Sequence, residues 1–192
     1  MSPNTVCRAI FFVGILAWIV TEPSRIPILT VTAILLHECG HLLAAKAYRV
    51  RASGFSVDSL GARLTLAGTI LSYPTELIIC AAGPLANLLS LPLARLFGQE
   101  NGRFFLSVSL ALALLNLLPI KGFDGGRIFY CLCALLLDPT RADRLCSLFS
   151  FFSLFILWCI SVYLMLRMGA DLSLFLFSVS VFTRIFLQNK MP

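Results

Sequence analysis

The chain has 192 residues, of which 59% are hydrophobic and only 12% are charged, with 15 Lys and Arg against 9 Asp and Glu. A soluble domain is about 45–50% apolar and about 25% charged, so this chain carries about half the charge that a water-facing surface needs. The composition argues against a disordered chain, a nucleic-acid binder, a disulfide scaffold and a coiled coil. It predicts an all-α polytopic membrane protein with room for one domain, residues 1–192.

Six apolar runs are candidates for transmembrane helices, each of which needs about 20 residues to cross a bilayer. The first follows Arg8 and lacks a small-residue cleavage site, so we interpret it as a span and not as a signal peptide. A polar loop is expected at 99–103 and a kink at Gly83-Pro84. The expected spans are about 6–21, 26–48, 75–97, 104–121 with a continuation at 127–137, 145–166 and 172–187.

The longest polar stretch, residues 49–72, separates the second and third spans. Within it, apolar residues of Phe55–Ala67 alternate around Asp58-Ser59-Leu60-Gly61. Alternation on both sides of a turn predicts a short, membrane-associated β-hairpin.

Basic residues divide unevenly between the two faces of a six-span chain. Eleven fall on the side of the termini and four on the other, which predicts that both termini are cytoplasmic. The eleven are Arg8, Lys46, Arg49, Arg51, Arg63, Lys121, Arg127, Arg141, Arg144, Arg184 and Lys190; the four are Arg25, Arg95, Arg103 and Arg167.

The two histidines, His37 and His41, are four residues apart, with Glu38 beside the first. On a helix they lie on one face, about 40° apart in azimuth and about 6 Å apart along the axis, so both can reach one ion. Two neutral imidazoles at this spacing suit zinc, and Glu38 is placed to take a proton from an attacking water. Three ionisable groups within five residues of a span are costly, at about 2.5–3.5 kcal/mol each, which favours a shared function over chance.

A zinc ion held by two histidines needs a third protein ligand, usually a carboxylate. Five of the nine acidic residues lie in short loops at span ends, and Glu38 is assigned, which leaves Asp58, Glu76 and Asp124. Asp124 follows Pro119 and Gly122, where the fourth span breaks, and broken backbone at membrane depth is tolerated only beside a cavity or water. Asp124 and the histidines both fall late on spans that run inward, so we expect the site near the cytoplasmic side.

Three motifs follow one another on the second, third and fourth spans, within residues 26–137. They are His37-Glu38-Cys39-Gly40-His41, then Gly83-Pro84-Leu85-Ala86-Asn87, then Asn116-x-x-Pro119 with Asp124-Gly125. In this order they resemble the site-2 protease family of intramembrane zinc metalloproteases. The resemblance implies a three-helix catalytic core in which His37, His41 and Asp124 bind one zinc ion and Glu38 is the catalytic base.

The same resemblance implies substrates that are membrane-anchored proteins, with regulatory membrane partners and no nucleic acid. Asn116, by family likeness, would help to position substrate. Asn87 is a weaker candidate for that role, because an interhelical hydrogen bond worth about 0.6 kcal/mol is a sufficient explanation for it. An extended substrate segment could pair with the edge of the hairpin; unchanged cleavage after proline substitutions there would contradict this.

The six-span layout without a PDZ domain most resembles the sporulation-type branch, stage IV sporulation protein FB, in a bacterial cytoplasmic membrane. Many members of that branch carry a CBS domain after the last span, and none is expected here because the sequence ends at Pro192. A sigma-factor precursor or an anti-sigma factor would be the substrate implied.

Three other interpretations compete with a protease. A metal-ion transporter would use intramembrane His and Asp but gives Glu38 no task, and the chain has no internal repeat. An inactive scaffold relative is disfavoured by the intact motif. A prenyl-protein protease would need a later glutamate as third ligand, and no glutamate follows Glu100.

Overall fold

A computed structural model describes residues 16–22, 24–50, 52–58, 61–66, 72–168 and 172–187. The expected, mostly helical architecture is confirmed. Its elements are α1 (Ile26–Ala47), β1 (Ala52–Asp58), β2 (Gly61–Leu66), α2 (Tyr73–Ser90), a 3-10 helix (Leu91–Phe97), α3 (Gln99–Asn116), α4 (Asp124–Ala134), α5 (Pro139–Met168), α6 (Ser173–Phe182) and a π-helical turn (Thr183–Leu187).

Three helical segments in the described part of the chain are long and apolar enough to cross a bilayer. They are Ile26–Ala47, Tyr73–Phe97 and Pro139–Arg167. Their outward faces remain strongly apolar, since Leu43 is 68% and Leu89 79% exposed. Apolar surface of this kind requires lipid, so the chain is a membrane protein.

Of the six expected spans, the second, third and fifth correspond to these three, and the first, fourth and sixth do not. Residues 16–21 are helical, while most of the first expected span lies outside the described residues. Of the sixth, the structure describes α6 and the π-helical turn, and the residues on both sides of it lie outside the described part of the chain.

The polar segment 99–103 is helical and not the loop that we expected. It forms the first turn of α3, where Glu100 lies in the field of the helix N-terminus. The helix therefore begins five residues before Phe104, and its first turn is polar. Helical structure stops at Asn116 and resumes at Asp124, with Gly122 at a φ of +98° between them.

The two strands form an antiparallel two-stranded sheet. Val57 pairs with Ala62 and Asp58 with Gly61, and the register shifts between Ala52 and Gly54. In the described part of the chain no further strand pairs with the outer edge of either strand, and the backbone groups of such an edge can receive another extended segment.

The chain divides into two compact units, Met1–Asn116 and Leu117–Pro192. In the first, α1, α2 and α3 pack pairwise, and the 3-10 helix packs against α3. Leu29, Ala33, Ala94 and Phe105 form its buried apolar cluster. Gly40 makes the α1–α2 contact close, because a Cβ there would lie 2.7 Å from the Cβ of Ala86.

In the second unit, α5 packs against α4 and against α6. Its N-terminus is capped by the Asp138 carboxylate, which accepts the backbone N–H of Arg141 at 3.0 Å. The first turn of α4 lies against the preceding segment, which requires glycine at two consecutive positions. A Cβ at Gly125 would lie 2.6 Å from the Leu118 carbonyl oxygen, and one at Gly126 would lie 2.5 Å from the Ile120 carbonyl carbon.

Candidate metal site

The two histidines of α1 are brought together by the helix, as their spacing predicts. The Nε2 atoms of His37 and His41 lie 3.2 Å apart, and the rings meet edge to face at 82° with centroids 4.8 Å apart. His37 is buried, at 6% exposed, and His41 is half-buried. The pair therefore faces away from lipid, toward α2.

Helix α2 fixes the orientation of both rings through their other nitrogens. The Nδ1 atom of His41 lies 2.8 Å from the backbone carbonyl oxygen of Ile79. The Nδ1 atom of His37 lies 2.8 Å from Oδ1 of Asn87, whose amide nitrogen donates to the Ala33 carbonyl at 3.1 Å. Since a carbonyl oxygen only accepts, each Nδ1 carries the hydrogen and donates it. Each neutral ring then presents the Nε2 lone pair to the other.

Two lone pairs at 3.2 Å repel unless a cation lies between or beside them. Two nitrogen ligands at about 2.0–2.1 Å from a tetrahedral zinc ion stand about 3.3–3.4 Å apart, close to the separation in this pair. A carbonyl or carboxamide oxygen on the second nitrogen is also the usual way in which a zinc-bound histidine is held. The donor set therefore fits zinc.

Gly83 of α2 makes room for the two Nε2 atoms. A Cβ at this position would lie 2.8 Å from Nε2 of His37 and 2.5 Å from Cε1 of His41, and it would clash with Nε2 of His41. No side chain other than hydrogen fits there. The sequence pattern predicts a kink at Gly83-Pro84, and α2 continues as a helix through Pro84. It did not indicate that the glycine makes room for the two histidines.

Glu38 and Cys39 lie on different sides of α1. Glu38 is half-buried and follows His37 by one residue, about 100° further round the helix. Cys39 is exposed, which places it away from the histidine pair. The exposure of Cys39 argues against a place for it in the ligand set.

Asp124 belongs to the second unit, where it is the first residue of α4 and is half-buried. It follows Phe123, whose extended backbone begins the helix. The other two carboxylates that the sequence left open lie elsewhere: Asp58 ends β1, and Glu76 lies in the first turn of α2.

The two asparagines occupy different settings. Asn116 ends α3, is half-buried, and donates from its amide to the Leu112 carbonyl of its own helix at 3.0 Å. Asn87 is fully buried, and the expected hydrogen bond between helices is present. Sequence reasoning missed its contact with His37, because nothing in the spacing of α2 indicates which residue of α1 it meets.

These features define a class: a polytopic helical membrane protein that carries a two-histidine chelating pair on one span, held by a second span. The sequence matches the profile of the Peptidase M50B-like family over residues 9–186. The chain therefore belongs to this family, whose members are zinc metalloproteases, and its membership supports an intramembrane protease with membrane-anchored substrates.

A solved structure shows a related fold. The chain is similar to a Site-2 Protease from Methanocaldococcus jannaschii, with a TM-score of 0.58 and 22% sequence identity over 92% of this chain and 85% of that one. A comparison with curated proteins gives no significant match. The fold is thus that of a site-2 protease, while the site rests on the residues described above.

Proposed function

We propose that this protein is a zinc-dependent intramembrane endopeptidase that hydrolyses peptide bonds of membrane-anchored proteins. In this proposal His37, His41 and Asp124 hold one zinc ion per chain, and Glu38 is the catalytic base. The family supports the class of reaction, and the assignment of these four residues is our own.

The paired imidazoles are the observation that carries the proposal. Both Nδ1 atoms are committed to carbonyl-type oxygens of α2, and both Nε2 lone pairs are directed at one place. Ionisable side chains inside a span are costly, and where they occur they mark functional or ion-binding sites. A cation at that place satisfies both rings at once.

Asp124 is supported by its chemistry and its position in the chain. Two histidines and one carboxylate, with an open position for water, form a common catalytic zinc set. Asp124 begins α4 directly after an irregular segment, which fixes its backbone between that segment and a helix. Asp58 and Glu76, the other two carboxylates that the sequence left open, lie at the end of β1 and in the first turn of α2.

The mechanism assigns one task to each group. Zinc, when bound, polarises the scissile carbonyl and lowers the pKa of an attacking water towards about 7. Glu38 takes the proton from that water and delivers it to the leaving nitrogen. Asn87 and the Ile79 carbonyl keep the two imidazoles in the tautomer that presents Nε2. Asn116 remains our candidate for positioning substrate.

A helical substrate must unwind before its peptide bonds can react, because its carbonyls and amides are paired within the helix. The unpaired edges of the β1–β2 sheet offer partners for an unwound strand. We include this pairing in the proposal, together with six spans, cytoplasmic termini and a site near the cytoplasmic side of a bacterial membrane. A sigma-factor precursor or an anti-sigma factor is the substrate that this reading favours.

Zinc content of the detergent-purified protein tests the ligand set. We expect about one zinc per chain in the wild type and a large loss in His41→Ala and Asp124→Ala, because either change leaves only two protein ligands. Cys39→Ala, beside the motif on the exposed side of α1, is the matched control and should keep its zinc. Full zinc in Asp124→Ala, or none in the wild type, would contradict the assignment.

Removal of the Asn87 carboxamide should weaken zinc binding without removing a ligand. In Asn87→Ala, His37 loses the acceptor that fixes its tautomer, and we expect the zinc dissociation constant to rise about 10- to 100-fold. Competition with a chromophoric chelator measures this. Ser90→Ala is the control, since Ser90 is equally buried on α2 and its hydroxyl donates to the Asn87 backbone carbonyl. Equal affinities of the two variants would show that Asn87 serves packing alone.

A further inference from the structure

The segment between α3 and α4, residues 117–123, is held by one face of α5. Asp143, Cys146 and Ser150 are three and four residues apart, so they lie on one side of that helix. All three bond to the segment or to the first turn of α4. Helix α5 lies after the region that carries the three sequence motifs.

Ser150 makes the central contacts. It is fully buried, and its Oγ accepts the backbone N–H of Lys121 at 2.8 Å. The same oxygen lies 2.6 Å from the Cys146 carbonyl and 3.3 Å from the Pro119 carbonyl, so its hydrogen is also donated. A backbone amide in a non-helical segment inside a membrane protein must find a partner, and this hydroxyl supplies it.

The two flanking contacts differ in strength. Lys121 Nζ pairs with Asp143 Oδ1 at 2.6 Å, but the Asp143 side chain is 61% exposed, so the ion pair contributes little. Cys146 is buried and directs its thiol to the Gly126 carbonyl at 3.4 Å. Thiols are weak donors, which leaves the Ser150 hydroxyl as the strongest buried anchor.

Asp124 lies between the two anchored points. It follows Lys121 by three residues and precedes Gly126 by two, so α5 contacts the chain on both sides of it. Because Gly125 and Gly126 have no Cβ, the same turn can lie directly against the backbone of Leu118 and Ile120. The backbone of Asp124 is thereby held within the second unit by groups other than its own carboxylate.

We propose that Ser150 is a positioning residue for the carboxylate of Asp124, and that the Ser150–Lys121 hydrogen bond sets the affinity of the metal site. This rests on the proposed function, in which Asp124 is a zinc ligand. Zinc affinity depends on how well the third ligand is held, and loss of a group that hydrogen-bonds a ligand directly weakens binding about 10- to 100-fold. Ser150 acts one step further away, through the Lys121 backbone, so we expect an effect at the lower end of that range.

Two measurements on the full-length, detergent-purified chain test the proposal. In Ser150→Ala and Ser150→Cys we expect the zinc dissociation constant, measured by chelator competition, to rise about tenfold. In the zinc-free protein we expect faster hydrogen exchange of the peptide spanning 117–123, because the Lys121 amide loses its acceptor. Ser150→Cys keeps the shape of the side chain, fills the space that alanine would leave, and replaces the hydroxyl by a much weaker hydrogen-bonding thiol. The test therefore survives if the alanine variant folds poorly.

Ser161→Ala is the matched control. Ser161 is a buried serine of the same helix, and its hydroxyl donates to the Trp158 carbonyl of that helix. It should bind zinc and exchange at 117–123 as the wild type does. A dissociation constant within about twofold of the wild type in both Ser150 variants, or an equal loss in Ser161→Ala, would overturn the proposal. If Asp124→Ala bound zinc as tightly as the wild type, the proposed function would fail instead.

Discussion

Glu38→Gln is expected to keep about one zinc per chain and to lose cleavage by about 10²- to 10⁴-fold, the usual contribution of a general base. The amide has nearly the size of the carboxylate but accepts no proton from water, and both imidazoles of the pair remain. A suitable assay reconstitutes purified enzyme with single-span reporters, each a fluorescent protein fused to one apolar helix with a central glycine. Cleavage is followed by release of the fluorescent domain.

The matched control for Glu38→Gln is Glu100→Gln, the same substitution at an exposed residue in the first turn of α3. It should cleave at the wild-type rate. If Glu38→Gln lost its zinc together with its activity, Glu38 would be a ligand and not the base. If it retained wild-type cleavage, Glu38 would not be the base. If the protein carried zinc across vesicles without cleaving any reporter, the transporter interpretation would replace the protease.

Gly83→Ala is expected to abolish zinc binding, with a loss of more than about 100-fold in affinity. The added methyl group would occupy the space beside Nε2 of both histidines, 2.8 Å from that of His37. Because α2 also holds the opposite nitrogens of the rings, the histidines cannot turn away without losing Asn87 and the Ile79 carbonyl. Zinc content and chelator competition measure the effect.

Leu85→Ala is the control for the glycine variant, since Leu85 lies two residues further along α2 and is 51% exposed. It should retain zinc. Thermal unfolding of both variants separates a blocked site from a lost fold: we expect Gly83→Ala to remain a folded, monodisperse protein in detergent. Wild-type zinc affinity in Gly83→Ala would show that the ion is held elsewhere than at the facing Nε2 atoms.

Residues 26–48 and 75–97 illustrate what could be predicted without a structure. Their apolar composition predicts helices long enough to span a bilayer, and α1, α2 and the 3-10 helix follow these bounds closely. The prediction of a loop at residues 99–103 was wrong, because these residues form the first turn of α3. Polar residues at the end of an apolar stretch can continue a helix into water as easily as they can end it.

The histidine pair itself was predictable, because the geometry of an α-helix places residues i and i+4 together whatever surrounds them. The roles of Asn87, Ile79 and Gly83 were not, because each depends on the register between α1 and α2. That register follows from close packing at Gly40 and Ala86, which are distant in sequence. The anchoring of the segment before Asp124 by Ser150 likewise joins residues 29 positions apart.

The sequence by itself determined that this is a helical membrane protein with an imidazole pair and a neighbouring carboxylate on one span, since composition and helical periodicity are local properties. Only the tertiary structure decided which nitrogen of each histidine contacts α2 and which one faces the other histidine. The physical reason is that either ring nitrogen of a neutral imidazole can carry the hydrogen, and the hydrogen bond that one nitrogen makes decides which of them does. Here the acceptors are an amide and a backbone carbonyl on another helix, brought into place by packing.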